Sequence, residues 1–76
     1  MANPAQIRAA RSLIGMSQTE IAQAAGVSVS TLKRAEGTIH PPASADSVAA
    51  IRAALEATGV EFIPENGGGP GVRLKK

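Results

Sequence analysis

Three glycines, at positions 15, 26 and 37, constrain this chain more than any other feature. Each follows a short stretch of helical patterning and supplies the positive φ that commonly ends a helix. Ahead of the first, Asn3 and Pro4 read as an N-cap with proline at the first helical position. Gln6 stands where the third residue of a capping box reaches back. The helix they open runs to Ile14, with Ile7, Ala10 and Ile14 on one face. Ser17 and Glu20 form the S-x-x-E arrangement that starts a second short helix, whose inner face is Ile21, Ala22 and Ala25. After Gly26 and Val27, Ser28 caps a third helix, Val29 to Glu36. Gly37, Pro41 and Pro42 make residues 37–43 an extended loop. Ser44 then caps a fourth helix of about Ala45 to Thr58, with Val48, Ile51 and Leu55 along its buried stripe and Gly59 at its end.

The tail changes period. Val60 to Ile63 and Val72 to Lys75 alternate apolar with polar or charged residues, and the stretch between them is rich in Gly and Pro. Two short strands are expected, with Val60 and Phe62 facing one way, as do Val72 and Leu74. Antiparallel pairing would bring Glu61 near Arg73 or Lys75. An isolated two-stranded ribbon is marginal in water, so this one needs support from the helical body or from the same ribbon in a second subunit. The Gly67-Gly68-Gly69 run reads as a hairpin loop, since no Lys-Ser/Thr pair or helix start follows it to make a phosphate cradle.

With 76 residues there is room for one thin core. Hydrophobic residues make up 43% of the chain, but 15 of them are alanine and only 18 are larger, which favours helices packed closely through small faces. The absence of cysteine rules out a disulfide or a thiolate metal site, so self-association is the expected source of further stability, and a homodimer is expected on that ground. No apolar run approaches the roughly 18 to 20 residues of a membrane helix, and the N-terminus lacks the pattern of a leader, so a soluble cytoplasmic protein is expected. The formal charge of +2 suits a polyanionic partner. Its distribution says more: Arg8, Arg11, Lys33 and Arg34 outnumber Glu20 and Glu36 in residues 1–40, whereas acids and bases balance beyond.

Within residues 17–37, Ala22 falls where two helices meeting at a steep angle come closest, and Gly26 lies in a turn that a β-substituted residue would strain. Val27 and Leu32 plug the angle. What remains on the outer face of the third helix is Val29, Ser30, Lys33 and Arg34, a small, polar and basic surface able to enter a major groove. Gln18, Ala22, Gly26-Val27-Ser28, Leu32 and the Glu36-Gly37 ending resemble the Cro/C1-type helix-turn-helix family, also called the XRE family, over residues 6–37.

The resemblance implies a mainly α fold: a four-helix, repressor-like helix-turn-helix domain over residues 1–59. The alternation read above, and not the resemblance, makes residues 60–76 a C-terminal two-stranded hairpin or strand tail, the expected dimerisation element. The family usually has a fifth helix where this chain has that tail. The resemblance also implies double-stranded DNA as the partner and a repressor or autoregulator reading an inverted repeat with residues 28–36. Carried over residue by residue, Val29, Ser30, Lys33 and Arg34 face base edges. Ser17, Gln18 and Ser28 contact the DNA backbone, with Arg8 a further phosphate contact, and Arg11 with Glu36 forms a structural ion pair.

Plainer readings stand beside these. Ser17 and Ser28 also read as caps alone, Lys33 as a solvated surface charge, and Arg73, Lys75 and Lys76 as charges that keep a strand edge from aggregating. An enzyme is not expected, because His40 sits beside Pro41 with no adjacent acid and nothing unites a nucleophile, a base and an orienting group. No metal or cofactor is expected either. Single-strand or RNA binding is disfavoured because Phe62 is the only aromatic residue. A protein partner that adds a strand to the tail is the competing alternative. The basic pair Lys33 and Arg34 favours DNA over it.

Overall fold

A computed structural model describes residues 2–64 and 67–75. Its elements are α1 (Pro4–Ile14), α2 (Gln18–Ala25), α3 (Val29–Ala35), α4 (Ala45–Glu56), β1 (Val60–Ile63) and β2 (Gly71–Leu74). The protein is therefore mainly helical, four helices with a two-stranded antiparallel ribbon at the C-terminal end. Side-chain oxygens of Asn3, Ser17, Ser28 and Ser44 cap the four helices, each accepting from the backbone N–H three residues on. In α1 and α2 the box closes from both sides: Asn3 N–H donates to Gln6 Oε1 at 2.9 Å and Ser17 N–H to Glu20 Oε1 at 2.8 Å.

The first three helices end alike. Met16, Val27 and Thr38 donate their N–H groups back to the carbonyls of Arg11, Ala22 and Lys33 at 3.3, 3.0 and 3.0 Å. The glycine before each donor makes this reversal possible, and at Gly26 and Gly37 φ is 72° and 80°. Met16 and Val27 then turn their side chains onto the core, so each stop also fixes where the next helix begins.

The helices and the ribbon share that core. Ile7, Ile21, Leu32, Ile51 and Leu55 are fully buried among alanines at positions 10, 22 and 35, and Val60 and Phe62 of β1 join the same cluster. Small side chains let the helices approach closely, as the alanine-rich composition requires. The accessible surface of 4379 Å² is close to the ~4,300 Å² expected for a folded monomer of this mass.

In the ribbon, Val60 pairs with Leu74, Glu61 with Arg73, Phe62 with Val72 and Ile63 with Gly71. Its support comes from the helical body, since β2 lies against α1 and β1 against α4 and α1. Buried Gln6 completes the tie: its side-chain Nε2 donates to the carbonyls of Ile63 and Gly71, both at 3.0 Å. On the opposite face Arg73 Nε binds Glu61 Oε1 at 2.8 Å. That hydrogen bond holds the Glu61 carboxyl below the ordinary range and raises the Arg73 guanidinium.

Three boundaries differ from the expectations. The fourth helix stops at Glu56, because Thr58 folds back with both its N–H and its hydroxyl onto the Leu55 carbonyl. α3 stops at Ala35, leaving Glu36 as its C-cap. The second strand spans Gly71–Leu74 and not 72–75, Lys75 instead donating its N–H to the Gly59 carbonyl at 2.8 Å. Of the expected hairpin loop, Glu65 and Asn66 lie outside the described residues, as does Lys76 of the basic end.

Candidate nucleic-acid interface

α2 and α3 are joined by the tight turn Gly26–Val27–Ser28, and Ala22 of α2, only 2% exposed, is buried in the core. Leu32 and Ala35 turn α3's inner face onto the core. Five residues remain, of which Thr31 is half-buried and bonded to the Ser28 cap, leaving the four expected at the outer side. Ser30 and Lys33 are exposed, Arg34 is half-buried, and Val29 is half-buried with part of its side chain against the core.

The ends of α3 are held by different chemistry. At the start, Ser28 Oγ accepts from Thr31 N–H at 3.0 Å and lies 2.9 Å from Thr31 Oγ1. At the finish, Glu36 is 1% exposed and its carboxylate gathers three donors: Arg11 Nε at 2.7 Å, Arg11 Nη2 at 3.3 Å and Gln18 Nε2 at 3.0 Å. Arg11 comes from α1 and Gln18 from the first turn of α2, so one buried carboxylate links three helices. Such a charge is tolerable only when its acceptors are filled. Gln18, expected at the DNA backbone and as a brace, has its amide nitrogen on Glu36.

Ser17 Oγ accepts from Glu20 N–H at 3.1 Å. The Glu20 carboxyl is held below its ordinary value, first by the hydrogen bond from Ser17 N–H and then by the Ser17 hydroxyl. Both serines thus act as caps in this structure, with the Ser17 hydroxyl turned to the Glu20 carboxyl and the Ser28 hydroxyl to that of Thr31. Arg8 Nη1 donates to the main-chain carbonyl of Glu36, a contact that sequence reasoning missed. Arginine at that position carried no local signal of a main-chain acceptor 28 residues away.

Positive charge is unevenly committed across the described residues. Arg11, Arg52 and Arg73 are paired with Glu36, Glu56 and Glu61, and Arg8 is held by a carbonyl. Lys33 and Arg34 have no side-chain acceptor among the described residues. Adjacent on α3, they make its outer side a surface whose charge is not spent within the fold.

The fold and this surface define a helix-turn-helix module, a kind of domain that binds DNA. The chain belongs to the helix-turn-helix domain family, whose pattern it matches over residues 5–62 and which is associated with XRE-type domains. That span takes in α1 from its second residue, the other three helices and most of β1. No individual curated protein matches the chain. Among the described residues no helix is long and apolar enough to cross a membrane, and no cluster of three His, Asp or Glu residues is placed to hold a metal.

Proposed function

We propose that this protein is a non-catalytic, cytoplasmic transcriptional regulator of the Cro/C1 type, a repressor or autoregulator, and that α3 reads a specific duplex sequence in the major groove. One observation carries the reading: Lys33 and Arg34, side by side on the outer side of α3, are the cations the fold leaves unspent on that helix. In this reading Arg34 makes a bidentate contact to guanine, Ser30 and Lys33 address neighbouring edges, and Val29 offers its outward methyl. The N-termini at Ser17 and Ser28 meet phosphates.

The test begins with selection of bound sites from a random duplex library, followed by titration of Arg34→Ala against the selected duplex. A bidentate contact contributes about 1–3 kcal/mol, so binding should weaken about 5- to 150-fold and discrimination at one base pair should relax. Unchanged binding by a folded Arg34→Ala variant would refute the assignment. Affinity should also fall steeply with salt as phosphates release counterions.

The reading includes a homodimer on an inverted repeat, with the centres of its reading helices about 34 Å apart. Leu74 of the ribbon, 44% exposed, supports placing the contact there. Removing residues 60–76 is a poor test, because Val60 and Phe62 would leave the core with them. Leu74→Lys leaves the core in place and should yield a monomer in sedimentation; a variant that remains dimeric would move the interface elsewhere.

A further inference from the structure

We infer that Arg8 is a positioning residue for the reading helix, setting where the C-terminal end of α3 lies relative to α1, and is not itself a phosphate ligand. The inference rests on the DNA-reading function proposed above and extends it to a residue outside the reading face.

α3 packs chiefly against α2 and α4, and the first turns of α1 meet its C-terminal end. Arg11 takes the Glu36 carboxylate, and Arg8 takes the Glu36 carbonyl. These are separable tasks. The carboxylate hangs on rotatable bonds, so holding it anchors a side chain. The carbonyl belongs to the C-cap residue, so holding it fixes the main chain where the helix stops. A guanidinium is suited to this, because helix-end carbonyls lack intrahelical donors and carry the negative end of the helix dipole.

A second observation places the same contact. A Cβ on Gly37 would come 3.3 Å from Pro4 Cβ and 3.6 Å from Arg8 Nη1, so the first turns of α1 and the end of α3 are seated directly on one another. Just there, Gly37 N–H closes on the Arg34 carbonyl at 3.1 Å and Thr38 N–H on the Lys33 carbonyl at 3.0 Å. The two carbonyls that finish α3 are thus those of the two basic reading residues. Loosening the C-cap would let Lys33 and Arg34 shift together, and discrimination would suffer before general affinity did.

The experiment compares full-length wild type, Arg8→Ala and Arg8→Lys in two measurements. The first titrates the selected duplex and a scrambled duplex at several salt concentrations. Arg8→Ala should weaken the selected duplex about tenfold, leave the scrambled duplex unchanged and keep the salt slope. Arg8→Lys, which keeps one cationic donor, should recover most of the loss. A phosphate ligand would behave otherwise: both duplexes would weaken together and the slope would fall by about 0.9. That result, or no change on either duplex, overturns the inference.

The second measurement is amide hydrogen exchange of the free protein. Exchange at Gly37 and Thr38 should accelerate in Arg8→Ala while Ile51 and Leu55 in α4 stay protected; unchanged exchange at both sites overturns the inference without reference to DNA. If wild type failed to distinguish any duplex, the DNA-reading function would fall, and exchange would still decide whether Arg8 holds the end of α3.

Discussion

Gln6→Glu changes one atom, and the structure assigns it a large effect. Gln6 is 6% exposed and uses both ends of its amide: Oε1 accepts from Asn3 N–H, and Nε2 donates to the carbonyls of Ile63 and Gly71. A glutamate keeps the capping acceptor and loses both donors. Two hydrogen bonds of about 1 kcal/mol each are removed, and a carboxylate oxygen is set against two carbonyl oxygens in a buried place, adding about 1–3 kcal/mol. Arg52 lines the same small cleft, but Glu56 already binds it and Phe62 lies beneath it at 5.1 Å, so it offers only partial relief. The loss should be about 3–4 kcal/mol at neutral pH. At roughly 4–8 °C per kcal/mol in a domain this small, the melting temperature should fall by at least about 12 °C.

The pH dependence of that loss gives a sharper check. Burial and the two carbonyls would raise the introduced carboxyl's folded pKa above its unfolded value. Its protonated form, which recovers one donor, is then favoured by folding. For a raised pKa the favourable contribution is present below the unfolded pKa and lost as pH rises through the folded one. The difference between wild type and Gln6→Glu should therefore shrink as pH falls through the raised folded pKa and be smallest once pH is below about 4. Denaturant unfolding followed by circular dichroism at pH 3.5 and pH 7 measures it. A Gln6→Glu protein within about 0.5 kcal/mol of wild type at pH 7, or a deficit that does not shrink in acid, would refute the account. Glu20→Gln is the control: the same capping-box place on exposed α2 should tolerate the exchange with little change in melting temperature.

Gly26→Ala and Gly37→Ala should both destabilise, each through a left-handed backbone that costs about 1–2 kcal/mol with a side chain attached. Gly37→Ala should be the worse, because only there does the added carbon meet Pro4. Thermal melts of the pair decide it, and equal losses would deny the close seating. Glu61 titrates below its ordinary value because Arg73 binds it, so its stabilising contribution is present above the unfolded pKa and is lost as pH falls through the folded one. Carboxyl NMR titration of Arg73→Ala should return Glu61 to the usual carboxylate range, and an unmoved titration would remove the ion pair as the cause.

What the sequence made legible was local. Caps at Asn3, Ser17, Ser28 and Ser44 and stops at Gly15, Gly26 and Gly37 act within a few residues, so their chemistry reads directly off spacing. The ribbon's alternation likewise put Glu61 near Arg73 or Lys75, and the register selects Arg73. Contacts between distant residues left fainter traces. Gln6 showed itself as a capping residue, and its second task, on carbonyls 57 and 65 positions away, carried one hint only. The box of α1 uses Gln where the box of α2 uses Glu, and only an amide has hydrogens left to give. Arg8 read as a phosphate contact, and its bond to the Glu36 carbonyl went unseen because a main-chain carbonyl has no residue type to recognise.

The grip of Gln6 on Ile63 and Gly71 also bears on the order in which the chain becomes usable. Residues 17–37 contain every group proposed to touch DNA, yet the first helix, which holds the end of α3 through Arg8 and Arg11, is itself fastened by strands made after the motif. During synthesis the reading surface would be complete in composition long before it is fixed in place. A nascent chain ending near Gly59 should carry the motif in a loosely held form, and competence to discriminate sites should arrive only as β2 emerges.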